Sequence, residues 1–188
     1  MTPDKTDRRT ERTRQALLAA FRALVLDHPY DALTVGDIIE RANVGRSTFY
    51  EHYDGKDALL GESVATPLSA LAAAVGATEM PAGLVGMAVH FRENHRVSRA
   101  LLTGPTRSIL TRCLAELIEA RLALLARKAP GPPPIVPDAM VAQHLAAGQL
   151  ALIENWVTAQ HACRPEAVAE ALFASTNAVV AALYRRST

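Results

Sequence analysis

Hydroxyl, guanidinium and imidazole groups are concentrated in one short segment of the chain, residues 34–56. Its hydrogen-bonding side chains are those of Thr34, Arg46, Ser47, Thr48, Tyr50, His52 and Lys56. Hydroxyls can donate to phosphate oxygens, and an arginine can donate two parallel hydrogen bonds to one planar partner. The segment is therefore the strongest candidate for a binding surface in this sequence.

Two short helices are predicted within this segment, on either side of a sharp turn. Thr34 is a good N-cap, and the apolar residues after it fall on one helical face: Val35, Ile38, Ile39 and Ala42. Asn43 stands at the turn, and asparagine tolerates the left-handed backbone conformation. Phe49 faces inward from the second helix. This is the pattern of a helix-turn-helix, whose second helix enters the major groove of DNA.

The polar residues suit such a groove. Hydroxyl groups reach phosphates, whereas Arg46 can pair with a guanine. Lys56 begins the next helix, where backbone N–H groups also favour a phosphate. Glu51 could accept a hydrogen bond from a cytosine amino group or point to solvent, and the solvent orientation is favoured.

Residues 34–56 resemble the TetR family of transcriptional regulators. The family pattern has a Thr-led helix, an Ala-Gly-Val-Ser turn, then Thr-x-Tyr-x-His-Phe and a Lys. It appears here as Thr34, Ala42-Asn43-Val44-Gly45, Thr48-Phe49-Tyr50-Glu51-His52-Tyr53 and Lys56. Arg12, Phe21 and residues 31–34 resemble the family's first helix. Asn43 replaces the turn glycine, and Gly45 replaces a serine cap whose hydroxyl could touch a phosphate.

Composition favours an all-α protein, because the chain has 35 Ala and 23 Leu but only 5% aromatic residues. Apolar residues recur at three- and four-residue steps in about nine predicted helices: 7–27, 35–42, 46–53, 56–75, 81–93, 96–103, 106–127, 138–160 and 165–185. Pro67 predicts a kink or break in the fourth. The proline-rich stretch at 128–138 is predicted to be an extended linker.

The expected domains are a three-helix DNA-binding domain, 1–58, and a helical ligand-binding and dimerisation domain, 59–188. The formal net charge is +1, which excludes a polybasic binder that works by bulk charge. Few phosphate contacts per subunit are therefore expected. A basic arm could lie along phosphates or be a solvated tail, and it comprises Lys5, Arg8, Arg9, Arg12 and Arg14.

The resemblance implies that the C-terminal domain binds an inducer and forms a homodimer. The last two predicted helices carry small residues that permit close helix packing: Ala146, Ala147, Gly148, Ala151, Ala171, Ala174, Ala178 and Ala182. Packing within the chain is the alternative. Ligand-lining candidates are Met87, His90, Phe91, Cys113, Leu117, His144 and Trp156, although a residue of this kind is more often part of the core than of a ligand site. Few aromatics and no charged cluster favour an apolar ligand.

Several classes of protein are disfavoured. There is no nucleophile elbow, P-loop, zinc-protease or dinucleotide motif, so an enzyme, a metal site and a cofactor are not expected. No apolar run approaches the roughly 18–20 residues that span a membrane and no secretory signal is seen, so a cytoplasmic protein is expected. The function predicted is a repressor that binds a palindromic operator as a homodimer and is released by a small ligand. The alternatives are an activator, a ligand-independent regulator, or an all-α small-molecule-binding protein with a vestigial helix-turn-helix.

Overall fold

A computed structural model describes residues 5–128, 133–159 and 162–184. Over these residues the chain forms nine α-helices and no strand, with one 3-10 turn at Tyr30–Ala32. The helices are α1 (Lys5–Asp27), α2 (Val35–Ala42), α3 (Arg46–His52), α4 (Lys56–Ala73), α5 (Ala82–Glu93), α6 (His95–Leu102), α7 (Thr106–Lys128), α8 (Asp138–Thr158) and α9 (Pro165–Leu183). The predicted all-α class is confirmed, and every predicted helix is present with both ends within two residues.

The chain divides into two compact units, with the division between Val64 and Ala65. This point lies inside α4, so one helix contributes to both units. The boundary expected from the sequence, after residue 58, falls earlier in the same helix.

The N-terminal unit is built from α1, the 3-10 turn, α2, α3 and the first part of α4. Its centre is a set of fully buried apolar side chains, and at least one comes from each helix: Leu17, Phe21, Ile38, Phe49, Leu59 and Leu60. Burial of several such side chains is the main stabilising contribution in so small a unit. The short helices α2 and α3 are thereby held by tertiary packing rather than by their own propensity.

The C-terminal unit contains the rest of α4 and helices α5 to α9. Helix α7 packs along α8, and α9 packs against both α5 and α8. Fully buried residues of this core include Leu84, Leu102, Leu114, Ile118 and Leu150.

Of the two outcomes predicted at Pro67, the break is wrong, because α4 continues through this residue to Ala73, whereas the kink stays a prediction. Pro67 is buried and is followed by the buried residues Leu68 and Leu71. Burial of Pro67 and of the apolar residues after it therefore offsets the single backbone hydrogen bond that a proline removes from a helix.

Helix α9 corrects another expectation. By length and composition alone it could cross a membrane, with a mean hydropathy of 1.3 over an 18-residue window. No uninterrupted apolar run marks it in the sequence, because α9 includes Glu166 and Glu170. Only 22% of the window is buried within the chain. Much of this apolar helix is therefore not covered by other residues that the structure describes.

Candidate nucleic-acid interface

Helix α2 begins with a complete capping box between Thr34 and Asp37. The Thr34 Oγ1 accepts from the Asp37 backbone N–H at 3.2 Å, and the Asp37 Oδ2 accepts from the Thr34 backbone N–H at 2.8 Å. The Thr34 hydroxyl also donates to Asp37 Oδ2 at 2.7 Å, and these bonds lower the pKa of the Asp37 carboxyl. Thr34 is exposed, but its hydroxyl proton is engaged within the chain. The predicted N-cap is confirmed.

The turn between α2 and α3 has the conformation expected for Asn43. Its φ of 52° and ψ of 48° are left-handed, and among the described residues it is the one non-glycine residue with positive φ. The Val44 N–H donates to the Ile39 carbonyl at 3.0 Å, which closes the end of α2. Gly45 then caps α3 without a side-chain hydrogen bond. The turn directs α3 sharply away from α2.

Helix α3 presents most of its polar residues to solvent. Arg46, Ser47 and Glu51 are exposed, and the Tyr50 side chain is 49% exposed. Thr48 and His52 are half-buried. Five of the predicted contact residues thus lie on one seven-residue helix. Thr34 lies at the start of the preceding helix, α2.

The inner side of α3 is held by aromatic packing. Phe49 is fully buried, and its ring meets those of Tyr50 at 5.4 Å and Tyr53 at 5.8 Å between centroids. Burial raises the pKa of Tyr53 above its ordinary value, and the nearby carboxylate of Glu62 adds to this effect. The polar residues of α3 therefore belong to a helix whose inner side is packed by aromatic rings.

Lys56, for which the sequence predicts a phosphate contact, makes several interactions within the chain. Its ammonium donates to the Tyr30 carbonyl at 2.9 Å and the Leu33 carbonyl at 2.8 Å. It also lies 4.5 Å from the centroid of the Tyr30 ring, and the Tyr30 hydroxyl donates to Asp57. Lys56 therefore fastens the start of α4 to the 3-10 turn that leads into α2.

The basic residues near the N-terminus divide into two groups. Arg14 pairs with Glu11 at 2.9 Å and with Glu62 of α4, so its charge is neutralised within the chain. Arg8, Arg9 and Arg12 are exposed on α1, whereas the side chain of Lys5 lies outside the described part. Residues from Lys5 onward are helical rather than an extended arm.

The expected ligand-lining residues differ in how deeply they are buried. Met87, Phe91 and Trp156 are buried, with the Trp156 Nε1 donating to the Cys163 carbonyl at 3.1 Å. Cys113 is half-buried. Three other candidates lie at the surface of the C-terminal unit: His90, Leu117 and His144. The structure therefore leaves an apolar subset of the candidates in the core.

Sequence reasoning missed Gln149, which is 4% exposed in the middle of α8. Its Nε2 donates to the Thr176 hydroxyl at 2.9 Å and to the Leu71 carbonyl at 3.3 Å. Its Oε1 is buried without a hydrogen-bond partner in the described structure. An unpaired buried acceptor costs about 1–3 kcal/mol. The available signal was one amide within the otherwise apolar stretch 145–153.

Comparison with known proteins shows what these features are similar to. The pattern described as "Bacterial regulatory proteins, tetR family" matches residues 17–62. Two HTH-type transcriptional regulators of Bacillus subtilis are similar over 55 residues each: YxbF at 44% identity and YdeS at 40%. Each match covers 29% of this chain, but only 14% of YxbF and 28% of YdeS.

The fold similarity extends over nearly the whole chain. A TetR transcriptional regulator from Streptococcus agalactiae 2603V superimposes with a TM-score of 0.61 at 25% identity. The superposition covers 92% of this chain and 97% of that one. The N-terminal sequence pattern and the fold are therefore both similar to those of TetR regulators.

Proposed function

We propose that this chain, a member of the TetR family of bacterial transcriptional regulators, represses transcription in the cytoplasm by binding a palindromic operator as a homodimer. One observation supports α3 as the DNA-binding surface. This helix presents exposed hydrogen-bonding side chains opposite the buried Phe49, directly after a left-handed turn. A short helix presented in this way fits the major groove. Thr34, Arg46, Ser47, Thr48, Tyr50 and His52 are the proposed contacts.

A selection from random duplex DNA tests this proposal directly. Enrichment of a palindrome with half-sites one helical turn apart, about 34–36 Å, or a multiple of it, is expected for a two-fold dimer. Absence of any enriched sequence would refute the regulator and favour an all-α binding protein with a vestigial helix-turn-helix.

Two variants test the placement of α3. Tyr50→Phe is expected to weaken binding across all sequences, because a phosphate contact carries no sequence information. Arg46→Ala is expected to relax base preference if the guanidinium reads a base, and only to weaken binding if it touches the backbone. Unchanged operator affinity in both variants would contradict this placement.

The dimer is proposed to form through α8 and α9. Support comes from α9, which is apolar but little buried, and whose exposed alanines share one face: Ala171, Ala174, Ala178 and Ala182. Small side chains let a second helix approach closely, and two helices from each subunit would give a four-helix interface.

Sedimentation velocity distinguishes this interface from internal packing. Ala178→Arg is expected to yield a monomer, because the cation would be buried without a partner. Ala120→Arg, on the exposed side of α7, serves as a matched control that should remain a dimer. A dimeric Ala178→Arg protein would place the interface elsewhere.

A small, largely apolar effector is proposed to release the operator. Gln149 supports this, because its unpaired Oε1 could accept a hydrogen bond from a ligand within an apolar core. Met87, Phe91 and Trp156 would supply apolar contacts. By linkage, an effector that prefers a conformation with wrongly spaced recognition helices lowers operator affinity.

The effector can be sought with Trp156, the single tryptophan. Compounds that alter its fluorescence and also release operator DNA are the expected effectors, and Gln149→Met should lose this response. If no compound releases DNA, the result would favour the alternative, a regulator that acts without a ligand. A footprint upstream of a promoter, together with increased transcription, would show that the protein is an activator and not a repressor.

A further inference from the structure

The centre of the outward face of α3 is formed by Ser47 and Glu51. With about 100° of rotation per residue, each lies about 160° around the helix axis from the buried Phe49. Arg46 and Tyr50 lie on one flank of this face, while Thr48 and His52 lie on the other. The burial pattern agrees, since Ser47 and Glu51 are exposed whereas Thr48 and His52 are half-buried.

Glu51 places an unpaired negative charge on this face. Within the described structure it makes no hydrogen bond or ion pair, in contrast to Glu11 and Glu62, which pair with Arg14. The residues three and four positions away on either side are Ser47, Thr48, Asp54 and Gly55, so no cation lies at helical contact spacing. The carboxylate is therefore free to meet whatever the helix faces.

A carboxylate in the major groove needs a donor, because phosphates surround the groove and every unmatched negative charge lowers affinity. Cytosine supplies this donor, since its major-groove edge offers the N4 amino group without an acceptor on the same base. Adenine also offers an amino group, N6, but its N7 acceptor lies beside that group and would repel a carboxylate.

We propose that Glu51, with Ser47 beside it, reads the bases, and that Glu51 accepts a hydrogen bond from the N4 amino group of a cytosine in each half-site. Tyr50, on the flank of the helix, then contacts the DNA backbone. The inference rests on the proposed DNA-binding function and revises the solvent orientation favoured by the sequence. It makes Glu51 a specificity-determining residue.

The test is a selection from randomised duplexes with three full-length proteins: the wild type, Glu51→Gln, and Glu93→Gln as a control. Glu93 is an exposed glutamate at the end of α5 in the other unit, so its variant makes the same change in charge. The wild type and the control are expected to enrich a half-site cytosine and to bind it about tenfold better than thymine there. Glu51→Gln is expected to select adenine instead, because glutamine pairs with adenine N6 and N7.

A second variant, Glu51→Ala, should lose the cytosine preference without gaining adenine. If all the proteins enrich the same site, and Glu51→Gln merely binds every sequence more tightly, then Glu51 is a solvent-facing charge and the inference is overturned while the proposed function stands. If none of the proteins enriches a site, the proposed function itself fails, and the inference fails with it.

Discussion

Replacing Lys56 by methionine separates two roles for this residue that the sequence and the structure assign differently. Methionine keeps much of the apolar stem and removes the ammonium that donates to the Tyr30 and Leu33 carbonyls. If Lys56 fastens α4 to the 3-10 turn, the N-terminal unit loses stability. If it binds a phosphate, DNA binding becomes less dependent on salt instead.

The magnitude follows from the interactions that the ammonium makes. A hydrogen bond from a charged donor contributes about 1.5–3 kcal/mol, and the interaction with the Tyr30 ring about 0.5–1 kcal/mol. Ordering the lysine side chain costs about 2 kcal/mol. Because Lys56 is half-exposed, the lower ends of these ranges apply, and the net decrease in unfolding free energy is about 1.5 kcal/mol.

Hydrogen–deuterium exchange is the suitable assay, because the single tryptophan lies in the other unit and does not report on this one. Amides of the 3-10 turn and α2 are expected to exchange about tenfold faster in Lys56→Met. Lys128→Met removes an exposed lysine at the end of α7 and should leave this exchange unchanged.

The salt dependence of binding to duplex DNA completes the test. The structure predicts the same slope of log affinity against log salt for the wild type and Lys56→Met. Unchanged exchange, together with a slope shallower by about 0.9 for each phosphate that Lys56 no longer neutralises, would refute the structural role and restore the role first expected from the sequence.

Three further predictions concern the backbone and the capping box. Asn43→Ala should lower the stability of the N-terminal unit by about 1 kcal/mol through its left-handed φ, whereas Asn43→Gly should be tolerated, as measured by amide exchange in α2. Gly76→Ala should destabilise the C-terminal unit by about 1–2 kcal/mol, because Gly76 has a φ of +64° and a Cβ there would lie 2.5 Å from the Leu125 Cδ1. Urea denaturation followed by Trp156 fluorescence measures this, and Gly86→Ala, in a helix with open space around it, should be neutral or stabilising. Asp37→Asn should destabilise the N-terminal unit at neutral pH, because the folded pKa of Asp37 lies below its unfolded value and the ionised carboxylate favours folding above that unfolded value. This contribution is lost as the pH falls through the folded pKa, so the difference from the wild type should vanish in acid, and a difference that persists there would contradict the assignment.

Local rules explain why so much of the fold was predictable. The three- and four-residue apolar period depends only on the geometry of one helix, and it located both ends of every helix closely. The left-handed turn at Asn43 was predictable for the same reason, since the residue type alone permits it. The candidate DNA-binding face followed from Phe49 being apolar and its neighbours polar.

The sequence by itself thus determined the order of the helices, the N-cap at Thr34 and the composition of the surface of α3. Only the tertiary structure decided which charges of the N-terminal unit are paired within the chain. Arg14 is neutralised by Glu62, 48 residues away, and the Lys56 ammonium is held by carbonyls more than 20 residues earlier. Helical periodicity indicates which side of a helix is buried, but it does not indicate which distant group lies opposite a given side chain. The continuity of α4 through Pro67 and the unpaired amide oxygen of Gln149 have the same origin, because both depend on neighbours supplied by other helices.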